Sequence, residues 1–321
     1  MTKRSCSAIW LILIAVLCGF SYQPKSAQAA LQEPPCEKPG WFPEDFGLKD
    51  HTVFWYNGYY YIAANYLPGE KKFAYGRSTD MCEWEMLEPI LAQRTPGTWD
   101  EKAVWSPYVF LEAGVYYLYF TGVTQEFTQS ILLETSTDPA DPAAWEMREM
   151  VFQPDHAGST WQETGWADCR DPMLIKIEGT YYLYYSAYDE QGGIIGVATS
   201  DRLTGGWMDW GSVIPYVLDT VPESSSIFTH DSFFYLFYHL PSQPESYRIG
   251  ASPSGPWLEP AVIGPGWAHE FWVGMDSSTY TSYLTDYSIS ISPLTWKPNT
   301  DPPQPFIGAI YYRTMIPLIS R

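Results

Sequence analysis

The strongest constraint on this chain is a motif that returns five times. A run that starts at a Ser, carries Asp or Pro and ends in Trp occurs at Ser78–Trp84, Ser136–Trp145, Ser200–Trp207, Ser252–Trp257 and Ser292–Trp296. Four of the five follow an aromatic strand signal of nearly one form: Gly58-Tyr-Tyr-Tyr-Ile62, Gly114-Val-Tyr-Tyr-Leu118, Gly179-Thr-Tyr-Tyr-Leu183 and Ser232-Phe-Phe-Tyr-Leu236. The fifth signal, near Tyr280–Tyr283, is degraded. A repeat of this length, rich in strand formers, predicts an all-β, five-bladed β-propeller with a central channel. The blades are expected at roughly 45–95, 100–152, 165–215, 220–262 and 266–300, inside a single domain 30–321 whose closing segment is 301–321. Pro34-Pro35 and Pro302-Pro303 mark the edges of the folded body.

The repeat also predicts where functional side chains converge. Ile62, Leu118, Leu183 and Leu236 serve as equivalent anchors. Counting back twelve residues from the first three and thirteen from the fourth reaches Asp50, Ser106, Asp171 and Glu223. A short apolar pair follows each, as expected where a blade's innermost strand begins. Innermost strands line the channel, so three acids far apart in sequence share one structural address. Asp and Glu together are 37 of 321 residues, so chance placement of three acids at four addresses is disfavoured. Turn capping by the Asp residues is the bland alternative. Glu270 is the fifth blade's candidate for a similar position.

The first 29 residues read as a secretory signal. Lys3 and Arg4 form the basic start, Ile9–Phe20 is a short apolar run, and Ala27-Gln28-Ala29 offers a cleavage site. The run is too short for a membrane span. The expected location is secreted or periplasmic, with a lipoprotein attached through Cys18 as the alternative. The formal charge is −19, and −22 without Lys3, Arg4 and Lys25. Such acidity argues against nucleic acid or anionic lipid as partners. A monomer acting on neutral ligands is expected. After cleavage three Cys remain: Cys36 and Cys82 are candidates for a disulfide, and Cys169 is expected to be buried. No Cys or His spacing resembles a zinc site.

Three acids around a polar pocket suit glycosidic-bond cleavage. That reaction needs one protonated acid at the leaving oxygen and one ionised carboxylate that activates water or attacks the sugar carbon. A third acid can hold the two apart in pKa. Glu223, with the longer arm, is the candidate general acid. Asp50 is the base or nucleophile, and Asp171 is the carboxylate that keeps Glu223 protonated. Arg170 either binds a hydroxyl or lies at a surface strand edge. Trp84, Trp145, Trp207, Trp257 and Trp296 belong to the repeat and are expected in blade packing. Trp105 and Trp166 stand outside it, beside channel addresses, and are candidates for stacking on a sugar ring. Trp267 and Trp272 are further rim candidates. His51 and His269 neighbour the acid positions and are candidates for substrate contact, His269 also for a channel cation; a core or turn His is the default reading.

With these residues in hand, the chain resembles the five-bladed propeller glycosidases, a superfamily of arabinanases, β-xylosidases, invertases and levansucrases. Glycoside hydrolase family 43 is the nearest form. The segments that carry the likeness are Lys49-Asp50-His51-Thr52, Trp105-Ser106-Pro107, Arg170-Asp171-Pro172 and Pro222-Glu223-Ser224-Ser225, each ahead of an aromatic strand signal. The resemblance implies a general base at Asp50, a pKa-modulating Asp171 and a general acid at Glu223. It also implies inversion, no required cofactor, and His269 near the channel axis, sometimes beside a structural calcium or sodium. Two departures stand out. His51 replaces the usual Pro, and no Gly-Pro follows Glu223. Arg170-Asp171-Pro172 is also a signature of fructan-acting families that retain configuration, although their other motifs are missing. The expected function is an exported hydrolase acting on an oligo- or polysaccharide containing arabinose or xylose. A non-catalytic carbohydrate-binding propeller, a fructan-acting retaining hydrolase and a protein-interaction propeller are the alternatives.

Overall fold

The computed structural model describes residues 36–91 and 95–308. The expected signal segment, Cys18, Pro34-Pro35 and residues 309–321 lie outside the described residues. The described chain is nearly all strand, with one short 3-10 turn at Pro142–Ala144. None of its helices is long and apolar enough to cross a membrane.

Five antiparallel sheets form five blades around a common axis, the propeller that the repeat predicts. Their innermost strands are Gly47–Tyr56, Ala103–Glu112, Cys169–Ile177, Glu223–His230 and Trp267–Val273. Each neighbours the next, and the innermost strand of blade five neighbours that of blade one, so the ring closes. The glycine that opens three of the aromatic strand signals has a conformational cause. Asn57-Gly58, Ala113-Gly114 and Glu178-Gly179 are two-residue hairpin loops in which both residues have positive φ. That is the turn whose twist matches its flanking strands, and Gly adopts it without strain.

Blade five is closed by two ends of the chain. Gly40–Trp41 pairs along one side of Ser288–Lys297, and Gln304–Ile307 pairs with the end of the same strand. The Cys36–Cys82 disulfide then ties the segment before Gly40 to blade one, with Cα atoms 6.3 Å apart. Neighbouring blades are clasped by one recurring contact. The hydroxyls of Tyr75, Tyr119, Tyr184 and Tyr235 donate to carbonyls of Pro139, Leu203, Pro253 and Pro303, each in the next blade or its edge, at 2.5 to 2.7 Å. All four rings are buried, so each hydroxyl needs that acceptor. The repeat Trp residues pack into the clusters between sheets; Trp84, for example, stacks on Trp41 of the closing strand. Cys169 is a buried free thiol.

Candidate active site

The channel mouth is organised by a backbone irregularity that occurs once per blade. Every innermost strand loses pairing register near its start, between Lys49 and His51, Trp105 and Tyr108, Arg170 and Met173, Glu223 and Ser226, and Trp267 and Glu270. At each break one non-glycine residue has left-handed backbone: Asp50, Ser106, Asp171, Ser224 and Ala268, with φ between 32° and 58°. A bulge of this kind bends the strand and re-aims its side chain. Left-handed backbone costs an ordinary residue roughly 1–2 kcal/mol, so five such residues around one ring are held by the surrounding sheet.

This bulge layer corrects the spacing of blade four. The position equivalent to Asp50, Ser106 and Asp171 is Ser224. Glu223 stands one residue earlier, level with Lys49, Trp105, Arg170 and Trp267. The position equivalent in blade five is Ala268, and Glu270 lies two residues further along the strand.

Despite that offset, the three acids meet. Asp50, Asp171 and Glu223 line one cavity of about 200 Å³. Lys49, Trp105, Trp166 and Arg170 share its wall, with Ser106, Ser224 and Glu70. Blades one to four supply the lining.

Asp171 is the best-fixed acid. It accepts from Ser106 Oγ at 2.6 Å, from Ser186 Oγ at 3.2 Å and from the Ser224 backbone N–H at 2.7 Å. Asp50 accepts from Asn65 Nδ2 at 3.1 Å, and the Asn65 carbonyl oxygen accepts from the Ser106 N–H at 3.0 Å. One buried Asn therefore couples the Asp50 carboxylate to the blade-two strand, whose Ser106 hydroxyl donates to Asp171. Glu223 accepts on one oxygen from Arg170 Nη2 at 2.9 Å and Nε at 3.2 Å. Arg170 also donates to Asp168 and, at 3.3 Å, to Gln129. It is an interior clamp on Glu223, not a surface strand edge.

Burial pushes the Asp50 carboxyl up to about 7; Lys49 works against this, and Asp171 and Glu223 add to it. Asp50 in turn raises Lys49, outweighing burial, with Glu70 assisting. Burial opposes the Arg170 charge, but Asp171, Glu223 and Asp168 outweigh it and keep the guanidinium protonated. Trp105 donates its indole N–H to Glu70 at 2.8 Å, and Trp166 donates to Asp168 at 3.1 Å. Both rings are thereby oriented at the mouth.

A smaller cavity of about 20 Å³ lies deeper and shares Asp50, Ser106, Asp171 and Ser224 with the first. His51 and Glu270 line it. Burial lowers the His51 pKa to about 3, with His269 adding to the effect, so its ring is neutral and bonds Ser282 Oγ at 2.8 Å. Burial raises Glu270 well above the ordinary carboxyl range. His269 lines neither cavity. It is fully buried, stacks near Phe271 and Tyr283, and approaches Glu245 at 3.6 Å. Trp267 packs on His239, and Trp272 on Tyr60 and Tyr280, and neither lines the acid cavity. Among the described residues no group of three or more His, Cys, Asp or Glu side chains is placed to hold a metal ion. The deeper cavity has room for about one water.

Lys49, Glu70, Asn65 and Ser224 were not singled out as site residues in the sequence. Lys49 could have been found, since it is the blade-one counterpart of Arg170 and Glu223. Glu70 and Asn65 carry no repeat signal.

Two family models match the chain. Residues 46–162 match the glycosyl hydrolases of family 43, and residues 108–230 match the β-1,4-mannooligosaccharide phosphorylase family. No curated protein matches in sequence. Among solved structures, an α-L-arabinofuranosidase from Lactobacillus brevis aligns at TM-score 0.62 and 16% identity, over 81% of this chain and 93% of its own. An exo-1,5-α-L-arabinanase from a bovine ruminal metagenomic library aligns at TM-score 0.62 and 17% identity, over 84% and 100%. A fructan 1-exohydrolase from Cichorium intybus aligns at TM-score 0.64 and 15% identity, over 87% and 61%. The chain is a five-bladed propeller similar, over residues 46–162, to the family 43 glycosyl hydrolases. These structural likenesses, at 15–17% identity, carry the fold; the family 43 match extends over the first two blades. That match reaches Asp50 and Ser106, and the second model spans Asp171 and Glu223, so together they cover the residues that line the mouth.

Proposed function

We propose that this glycosidase cleaves the glycosidic bond of an oligo- or polysaccharide in the 200 Å³ cavity, with Glu223 as proton donor and Asp50 as base. The observation that carries the reading is the convergence of Asp50, Asp171 and Glu223 on one cavity beside two oriented indoles. Asp50 takes a proton from a water whose oxygen bonds to the anomeric carbon. Glu223 gives a proton to the glycosidic oxygen as that carbon–oxygen bond breaks. Two sugar hydroxyls result, and the two carboxyl groups exchange protonation states. Asp171, fixed by three donors, presents its charge to both. Arg170 withdraws from Glu223 as the leaving oxygen approaches. Arabinose- and xylose-containing glycans are the proposed substrates, in line with the named activities of the arabinofuranosidase and arabinanase of like fold.

One observation favours a second assignment. In the free site Glu223 is ion-paired with Arg170, whereas Asp50 is the carboxyl pushed up to about 7. Near pH 7 about half of the Asp50 carboxyls then carry a proton, which would let Asp50 serve as the donor and Glu223 as the base. Aryl glycosides with good leaving groups separate the readings, since a weakly basic leaving oxygen needs no proton. Glu223→Gln is expected to retain most turnover of a dinitrophenyl glycoside and to lose that of a natural linkage. Asp50→Asn is expected to lose both, with azide restoring the first. The reverse pattern would exchange the two roles. Arabinofuranosides, xylosides, galactosides and fructans, each with and without inorganic phosphate, define the sugar and separate hydrolysis from phosphorolysis.

Export is part of the same proposal. The Cys36–Cys82 disulfide suits an oxidising compartment. A mature amino terminus at or near Ala30, read by mass spectrometry, supports it; an intact Met1 on the cellular protein rejects it.

A further inference from the structure

We infer that a second saccharide subsite lies beside the cleavage cavity, on the rim between blades one and two, and that it holds a further unit of a neutral sugar chain. The inference rests on the hydrolase reading above. A hollow of about 310 Å³ is lined there by Glu70, Lys71, Glu101, Lys102, Trp105 and Phe127, among others. Glu70 and Trp105 line this hollow and the cleavage cavity alike, so the two are adjoining compartments with a common wall. The aromatic surface is also continuous. Phe127 of the hollow stacks on Trp166 of the cavity, with ring centroids 5.5 Å apart and an angle of 28°. Trp166 nevertheless leaves 58% of its surface exposed, more than any ring in the packed blade interfaces.

This rim is built. The Gly69–Glu70 hairpin tip is tied to the innermost strand of blade two, because the Glu70 carbonyl accepts from the Val104 N–H at 2.9 Å. The Glu70 carboxylate accepts the Trp105 indole N–H hydrogen bond on one oxygen and faces Lys49 on the other. Lys102 places its ammonium 3.8 Å from the centroid of Phe127. Glu101 accepts from the backbone N–H groups of Gly97 and Gln125, and these bonds lower its pKa.

The chemistry of the lining identifies the occupant. Apolar ring faces beside a balanced set of two ammonium and two carboxylate groups match a sugar unit, which offers an apolar C–H face and a rim of hydroxyls that both donate and accept. Neither sign dominates, which selects a neutral unit over a uronate or a phosphorylated one. Chains longer than the bond being cleaved gain contacts here that a monosaccharide aryl glycoside never reaches.

The test compares substrates of different length. Phe127→Ala and Lys102→Met alter the hollow without touching the three acids. Both are expected to lower kcat/KM about tenfold on linear arabino- or xylo-oligosaccharides of three or more units, chiefly through KM. The aryl monoglycoside is expected to stay within about twofold. Equal losses on both substrates, or no loss on either, would overturn the subsite. If the parent protein hydrolyses none of these, the hydrolase reading fails on its own, and binding decides the subsite. Calorimetric titration of Glu223→Gln with oligosaccharides of two to five units is then expected to show affinity rising with length, and the rise vanishing in the Glu223→Gln, Phe127→Ala double variant. Length-independent or absent binding would overturn it. Matching melting temperatures of all variants exclude misfolding as the cause.

Discussion

The channel of this propeller has two levels that differ in how their polar groups are treated. At the mouth, Asp171 has three hydrogen-bond donors, Glu223 has Arg170, and Asp50 has Asn65 with Lys49 beside it. Deeper in, His51 Nδ1, Ser225 Oγ and Ser226 Oγ are buried without a hydrogen-bond partner among the described residues. His51 and Glu270 are driven by burial toward their neutral forms there. At the mouth Asp171 and Glu223 are held by fixed dipoles and a counter-charge, although burial lifts Asp50 to about 7; at the deeper level both His51 and Glu270 are shifted toward their neutral forms. Preorganised charge next to solvent is what a bond-cleaving site requires, and a neutral layer beneath it supports the strands without competing for protons.

The largest expected effects fall on the mouth. Asp50→Asn and Glu223→Gln should each lower kcat on a natural glycan by about 10³-fold, the scale of a lost general acid or base. Steady-state kinetics on arabino- and xylo-oligosaccharides measure this; a rate within tenfold of the parent for either would erase the distinction between the levels. Loss of a positioning group should cost less. Asn65→Ala removes the link between Asp50 and the Ser106 backbone and should lower kcat about 10–100-fold with little change in KM.

The protonation of Asp50 is readable from pH. With its carboxyl at about 7, kcat/KM should rise with pH through neutrality if Asp50 is the base, and fall if it is the donor. Lys49→Met removes the cation that favours the charged form, so the limb should move to higher pH. The same group links stability to pH. Its folded pKa lies above the ordinary aspartate value of 3.8, so the folded state binds the extra proton between about 4 and 7. Stability should therefore decline as pH rises across that window. Asp50→Asn should remove this decline and raise the melting temperature above pH 7, by about 1 kcal/mol in stability.

The smallest effect is expected deeper in. Glu270→Gln replaces a neutral acid with a neutral amide of similar shape, and kcat should stay within about twofold. A large loss would move Glu270 into the machinery and collapse the contrast between the levels.

Much of this arrangement was legible before folding. The aromatic signals counted the blades, because each marks the strand after a tight hairpin that has to pass through positive φ. The same spacing located Asp50, Ser106 and Asp171 correctly, since equivalent strands begin at equivalent distances from equivalent turns. Trp105, Trp166 and Arg170 were legible as neighbours of those addresses. Blade four was misaligned by one residue, because matching acids at equal depth favoured Glu223, while the backbone bulge falls on Ser224. Glu270 was raised to the rim for the same reason, although Ala268 holds that position.

The chain's own pattern determined how many sheets form, which strands are innermost and which end of them carries the acids, since hydrophobic alternation and turn chemistry are local properties. Tertiary structure alone decided that Glu223 meets Arg170, that Asn65 joins Asp50 to blade two, that Glu70 divides two hollows, and that His269 turns away from both. Those outcomes depend on where hairpin tips and bulges from separate blades arrive once the ring closes. No local preference encodes a distance between residues that become neighbours only when five sheets share one axis.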